Sequence, residues 1–158
     1  MVTVIRGSKK ISISFLENDD DFDCDRINGL FPEPYLLVVS ETRVAVVHLL
    51  SNYSTIVANE PNRIKNLIID PVEEKMYFKS GIKVYRANLD GSNRKVIYQD
   101  KVYPIRLFAL DWIGRRMFWV YSKKKKSIFT GNLNLSNGLE ITESEIRFES
   151  LAVDPNTG

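Results

Sequence analysis

One short pattern occurs three times in this chain and constrains its fold more than any other feature. Leu67-Ile68-Ile69-Asp70-Pro71 returns as Phe108-Ala109-Leu110-Asp111-Trp112 and again as Leu151-Ala152-Val153-Asp154-Pro155. The aspartates lie 41 and then 43 residues apart, and a second landmark keeps step: Ser51-Asn52, Ser92-Asn93 and Ser136-Asn137. A fixed period near ~40 residues marks an array of small units, none of which can bury its apolar face alone. Arrays of this kind more often present surfaces than enclose a reaction.

Each unit reads as strands. The first run is apolar at consecutive positions, as expected of a strand buried on both faces. Asp followed by Pro or Trp then opens a tight turn, and Asp111-Trp112-Ile113-Gly114 fits a type I template. A second, aromatic-rich strand follows: Lys75-Met76-Tyr77-Phe78 in one unit, Arg116-Met117-Phe118-Trp119-Val120-Tyr121 in the next. The third strand, 82–88, alternates and ends at the hairpin signal Asp90-Gly91; a short fourth strand covers 95–98. Four antiparallel strands in about 40 residues make a β-propeller blade, with the apolar first strand innermost. No segment shows a sustained helical period.

Laying an earlier unit 41 residues back puts Leu36 and Leu37 under Tyr77 and Phe78. Residues 35–39 are then its second strand and 43–49 its third. What precedes is too polar to supply a first strand. The predicted class is therefore all-β, a partial β-propeller of about three four-stranded antiparallel blades. Its units run about 33–70, 71–111 and 112–154, behind an irregular segment at 1–32. The array starts at strand two of one blade and stops after strand one of another.

Composition narrows the partners. The 22 basic and 20 acidic residues leave a net charge of +2, too balanced to argue for nucleic acid or an anionic membrane. The longest uncharged apolar stretch, 44–50, is far short of a membrane span. Residues 1–10 carry Arg6, Lys9 and Lys10 with no long apolar run behind them, so no signal peptide is expected. Cys24 is the only cysteine, and no Cys/His cluster is present to hold zinc.

The landmarks resemble the class B repeat of the low-density lipoprotein receptor, the YWTD repeat of six-bladed propellers. Residues 70–97 carry the resemblance, and their specific part is Asn88-Leu89-Asp90-Gly91-Ser92-Asn93-Arg94. Residues 109–119 are similar to the family's next repeat opening. The tetrad itself has changed, to Tyr77-Phe78-Lys79-Ser80 and Phe118-Trp119-Val120-Tyr121: the aromatic pair survives in type, and the threonine and aspartate do not. In the family those polar residues help tie strands and blades together. An EGF-like module usually precedes such a propeller, its last cysteine shortly before a Pro-Tyr-Leu-Leu opening. Cys24 stands eleven residues before Tyr35, within Pro34-Tyr35-Leu36-Leu37. The resemblance thus favours an orphan cysteine, with 1–32 the remnant of such a module, over a free thiol of no consequence.

No catalytic, cofactor or metal site emerges. Asp70, Asp111 and Asp154 read as turn-initiating residues rather than an axial carboxylate cluster. His48, the only histidine, is a strand residue with no obvious Ser or Cys partner for a triad. The lysines at 123–126 read as a solvated hairpin tip rather than a docking patch. The acidic residues at 19–25 lack the Gly-centred loop of a calcium site. The repeat motif residues, taken as structural, are Asp70, Tyr77, Phe78, Asp90, Gly91, Asp111, Trp112, Phe118, Trp119 and Asp154. Asn52-Tyr53-Ser54 and Asn134-Leu135-Ser136 are N-glycosylation sequons at strand-three-to-four turns.

The resemblance implies a non-catalytic binding module of an endocytic or signalling receptor, outside the plasma membrane or in the endosome. Its partners would be protein ligands or adjacent receptor modules, without cofactor, nucleic acid or direct membrane insertion. Two other functions compete: a lactonase-type propeller hydrolase with a metal in its channel, and a truncated copy without independent activity. Open blade edges predict self-association.

Overall fold

A computed structural model describes residues 35–123, 127–145 and 147–154. Short apolar and aromatic runs, broken by turns rich in Asp, Asn and Gly, become eleven strands among these residues. They are β1 (Tyr35–Ser40), β2 (Arg43–His48), β3 (Ser54–Asn59), β4 (Ile64–Asp70), β5 (Lys75–Ser80), β6 (Lys83–Asn88), β7 (Lys95–Gln99), β8 (Ile105–Asp111), β9 (Arg116–Tyr121), β10 (Ser127–Gly131) and β11 (Leu139–Glu143). Each strand pairs antiparallel with its chain neighbour in three separate sheets: β1-β2-β3, β4-β5-β6-β7 and β8-β9-β10-β11. These are successive blades of a partial β-propeller. Among the described residues the first blade has three strands, and the other two have four. Cys24 and the acidic residues of 19–25 lie outside the described residues.

Two apolar clusters hold the blades together. Side chains alternate across each strand, so one blade feeds both of its neighbours. Met76 and Phe78 of β5 join Leu37, Val44, Val46 and Ala58 of the first blade. Tyr77, between them in sequence, joins Phe108, Leu110, Met117, Trp119 and Phe129 of the third. Tyr77, Phe78 and Trp119 are fully buried. Burying a side chain of this size contributes roughly 1.5–3 kcal/mol, so the aromatic pair is the main adhesive between blades.

The expectation that innermost strands are buried on both faces holds for β8 and fails for β4. Phe108, Ala109 and Leu110 are buried in β8, whereas Ile69 of β4 is 40% exposed. Leu67, on the same side of β4 as Ile69, packs toward the first blade. That blade has no inner strand among the described residues to cover Ile69. The corresponding Leu110 faces β4 and is sealed by it.

The third apolar run differs too. Leu151, Ala152 and Val153 form no strand. The residues just before them nevertheless touch β8. Ile64, Ile105 and Phe148 each precede a repeat aspartate by six residues, and Lys65, Arg106 and Glu149 come next. Arg106 donates to the Phe148 carbonyl and pairs with Glu149 at 2.7 Å, so equivalent positions of successive inner runs touch. Among the described residues the run lacks the ladder partner that β5 gives β4 and β9 gives β8.

Candidate functional site

The repeat aspartates do different work in each blade. Asp70 is fully buried at the end of β4. Its Oδ1 accepts from the amides of Val72 and Glu73 at 3.0 and 3.4 Å, fixing the turn into β5. Both its oxygens also accept from Arg115 Nη1, at 2.9 and 2.8 Å. Arg115 sits in the equivalent turn of the next blade, in left-handed conformation at φ 57°. Its other terminal nitrogen pairs with Glu73, which also pairs with Arg86, and Arg86 Nε donates to the Tyr77 hydroxyl at 3.0 Å. The chain Asp70–Arg115–Glu73–Arg86–Tyr77 thus ties the second blade to the third. Asp111 Oδ1 accepts from the Gly114 amide at 2.7 Å, and Asp154 is exposed. Three carboxylates do not converge: Asp70 is committed to its turn and to Arg115. Among the described residues no group of three or more His, Cys, Asp or Glu could hold a metal.

A second latch joins the first blade to the second. Glu60, buried in the β3–β4 connection, pairs with Arg94, whose guanidinium lies 5.3 Å from the centre of the Tyr85 ring. Beside it, Gly91 takes φ +83°, and a Cβ there would lie 1.7 Å from the Val57 carbonyl oxygen of β3. Asp90-Gly91 is therefore both a hairpin turn and the point where two blades meet backbone to backbone. His48, at the end of β2, is buried.

The turns between third and fourth strands repeat one hydrogen-bond scheme. Asn88 N donates to Ser92 O at 2.9 Å and Gly91 N to Asn88 O at 3.0 Å. In the third blade Asn132 N donates to Ser136 O at 3.1 Å and Leu135 N to Asn132 O at 2.8 Å. Ser92 Oγ donates to Asp90 Oδ1, and Ser136 Oγ to Asn134 Oδ1, both at 2.6 Å. Where Gly91 admits a neighbouring backbone, Leu135 instead buries its side chain in the second cluster. Asn52 and Asn134, the sequon residues, are both exposed.

The aromatic residues of the third blade lead to the surface. Trp119 is fully buried, Phe118 and Trp112 are half-buried, and a Cβ on Gly138 would stand 2.6 Å from the Trp119 ring. Tyr121 meets Phe129 edge-on at 4.9 Å and Tyr103 at 6.2 Å. Tyr98 donates its hydroxyl to the Tyr103 carbonyl at 2.6 Å. Tyr103 is 44% exposed beside exposed Val102, and Lys123 Nζ lies 5.7 Å from its ring centre. This corner combines exposed apolar area, aromatic rings and a cation, the mix enriched in protein interfaces. The sequence reading missed it because Val102 and Tyr103 sit in a linker outside the repeat motif. Lys123 is exposed, and residues 124–126 lie outside the described residues.

Burial sets the alkaline limit of the fold. Desolvation, first of all, raises the phenol pKa values of Tyr77, Tyr85 and Tyr98 above their usual 10.0. Their stabilisation is complete below pH 10 and is lost as pH rises through the folded values. Lys79 acts oppositely: desolvation, then the Lys65 ammonium directly across the ladder, lower its pKa from 10.5. Its penalty fades as pH rises toward 10.5. With three tyrosines against one lysine, the urea midpoint should fall above pH 10, with buried phenolate absorbance appearing only on unfolding. A midpoint that climbs beyond pH 10 would contradict this ordering.

No family model matches the chain. Its fold is similar to that of a chain in the crystal structure of the nidogen/laminin complex, with 21% identity and a TM-score of 0.65. The match covers 78% of this chain and 50% of that one, so this chain spans about half the length of that neighbour. TolB from Acinetobacter baumannii matches over 68% of this chain and 29% of its own, at 16% identity and TM-score 0.53. The tricorn protease matches over 67% and 10%, at 17% identity and TM-score 0.51. These neighbours are propeller proteins, and the likeness extends to the fold: this chain is an all-β partial β-propeller.

Proposed function

We propose that this chain is a non-catalytic extracellular binding module, the propeller segment of a lipoprotein-receptor-like receptor with class B repeats, engaging protein ligands or neighbouring receptor modules. The observation that carries the reading is the turn 88–94. Its sequence bears the specific part of the resemblance, and its hydrogen-bond scheme recurs in the third blade. The fold likeness to a chain solved in a nidogen/laminin complex agrees with it. The commitment of Asp70 to Arg115 and to its own turn fits a scaffold more than a reaction centre.

The corner of Val102, Tyr103, Tyr121 and Lys123 is the contact surface under this reading. Surface plasmon resonance of the chain over immobilised laminin and over low-density lipoprotein tests it. Binding to at least one is expected, weakened about tenfold (~1.4 kcal/mol) by Tyr103→Ala. No binding to either surface would remove the reading; binding indifferent to Tyr103→Ala would move the contact elsewhere.

A further inference from the structure

The second blade carries a charge where the third carries an apolar side chain. Lys79 of β5 and Val120 of β9 hold the same place in the repeat, and Val120 is fully buried. Lys79 lies on the side of β5 that Tyr77 shares and opposes buried Val84 of β6, so it faces the third blade. Across the other ladder its partner is Lys65 of β4. Directly opposed side chains stand about 4.5–5.5 Å apart at Cβ, and like charges at such positions destabilise a sheet. Lys79 is half-buried; its ammonium loses hydration and then meets the charge of Lys65. Among the described residues no carboxylate pairs with either lysine.

The inner runs sharpen the imbalance. Lys65, Arg106 and Glu149 are equivalent in the repeat. After the third blade this position brings a cation to an anion, since Arg106 pairs with Glu149. Between the second and third blades it sets Lys65 on the strand beside the one that carries Arg106, cation next to cation. We infer that Lys65 and Lys79 hold a tetrahedral oxyanion, a phosphate or sulfate group, on the side of the β4–β5 ladder that faces the third blade. Each ammonium donates to a different oxygen, and a doubly charged group neutralises both. A single carboxylate would leave one positive charge over. Arg106, whose guanidinium is committed to Phe148 and Glu149, is not needed as a ligand. The half-buried position of Lys79 strengthens its hold on an anion, because a partly desolvated charge is screened less by water. The inference holds whatever protein ligand the module binds.

Urea denaturation of the 158-residue chain in sodium phosphate, against sodium chloride of equal ionic strength, reads the site. An anion that binds only the folded chain raises the midpoint with its concentration. Phosphate also stabilises proteins by exclusion from their surfaces, so variants isolate the specific part. Lys79→Met keeps an unbranched stem and removes the charge. In chloride its midpoint should exceed that of the wild type, because the like-charge pair is gone. In phosphate it should lose the specific rise, its affinity weakened about tenfold or more. Lys95→Met, exposed in β7, should keep the wild-type rise. A second measurement needs no variant: in amide NMR spectra of the wild-type chain, phosphate should shift Lys65, Asn66, Lys79 and Ser80 along one saturating curve. The same titration with a sulfated disaccharide separates the sources. Tighter binding of the disaccharide at these amides assigns the group to a glycan, and tighter binding of phosphate assigns it to the free ion; both uphold the site. Equal phosphate rises in wild type and Lys79→Met would overturn the inference. Shifts that fail to saturate, or that centre elsewhere and spare Lys65 and Lys79, would overturn it equally.

Discussion

Gly91→Ala is expected to be among the most damaging single-methyl changes in the chain, costing about 3 kcal/mol or more. Two effects add. At φ +83° an L-residue is strained by about 1–2 kcal/mol. The new Cβ would also stand 1.7 Å from the Val57 carbonyl oxygen and 2.8 Å from its carbon, which are backbone atoms that no rotamer change removes. Relief requires the second blade to pull away from the first, opening the cluster of Leu37, Val46, Met76 and Phe78. Overpacking of this kind costs about 1–3 kcal/mol on its own. Urea denaturation would show a lowered midpoint. A shift worth less than about 1 kcal/mol would mean that the blades do not meet at this turn.

Arg115→Ala should cost about 3 kcal/mol for an electrostatic reason. Asp70 has no exposed surface, and Arg115 is its charged partner. Removing the guanidinium leaves a buried carboxylate held only by the amides of Val72 and Glu73. Breaking a buried pair from one side typically costs 3–5 kcal/mol, and the partial exposure of Arg115 places this case at the lower end. Arg115→Lys should recover only part, because one ammonium cannot reach both Asp70 and Glu73 as the guanidinium does. A double-mutant cycle with Asp70→Asn should return a coupling above about 1 kcal/mol. Coupling near zero would place the pair with ordinary exposed ion pairs.

The strand order was legible because its signals are local. Aspartate with proline or tryptophan marks one turn, Asp90-Gly91 another, and aromatic doublets mark the strand between. The alternation of Tyr77 and Phe78 toward opposite clusters follows from strand geometry alone. What escaped the sequence crosses between repeats. Arg115 lies 45 residues from Asp70, and the equivalent position in the preceding blade is Glu74, so the repeat itself gives no hint of the pair. Ile69 has the composition of a doubly buried position and is exposed because its cover belongs to another blade. Leu151, Ala152 and Val153 have a strand's sequence without, among the described residues, the ladder partner that makes one. A strand is a property of two segments, and one of them was out of view.

The mismatch between repeat and sheet bears on how such a chain can change length. Each sequence unit ends inside a hairpin turn, at Asp70 or Asp111, while each sheet ends in a connection between blades. An unequal exchange joining the Asp70 turn to the Asp111 turn would delete 41 residues and splice β4 directly onto β9. The result keeps an inner strand, a four-residue turn and an aromatic second strand in their proper sequence. The reciprocal product gains a whole blade. Genes of this design can therefore add or lose blades in one step without stranding a half-built sheet, provided that Arg115 or an equivalent still finds a buried aspartate next door.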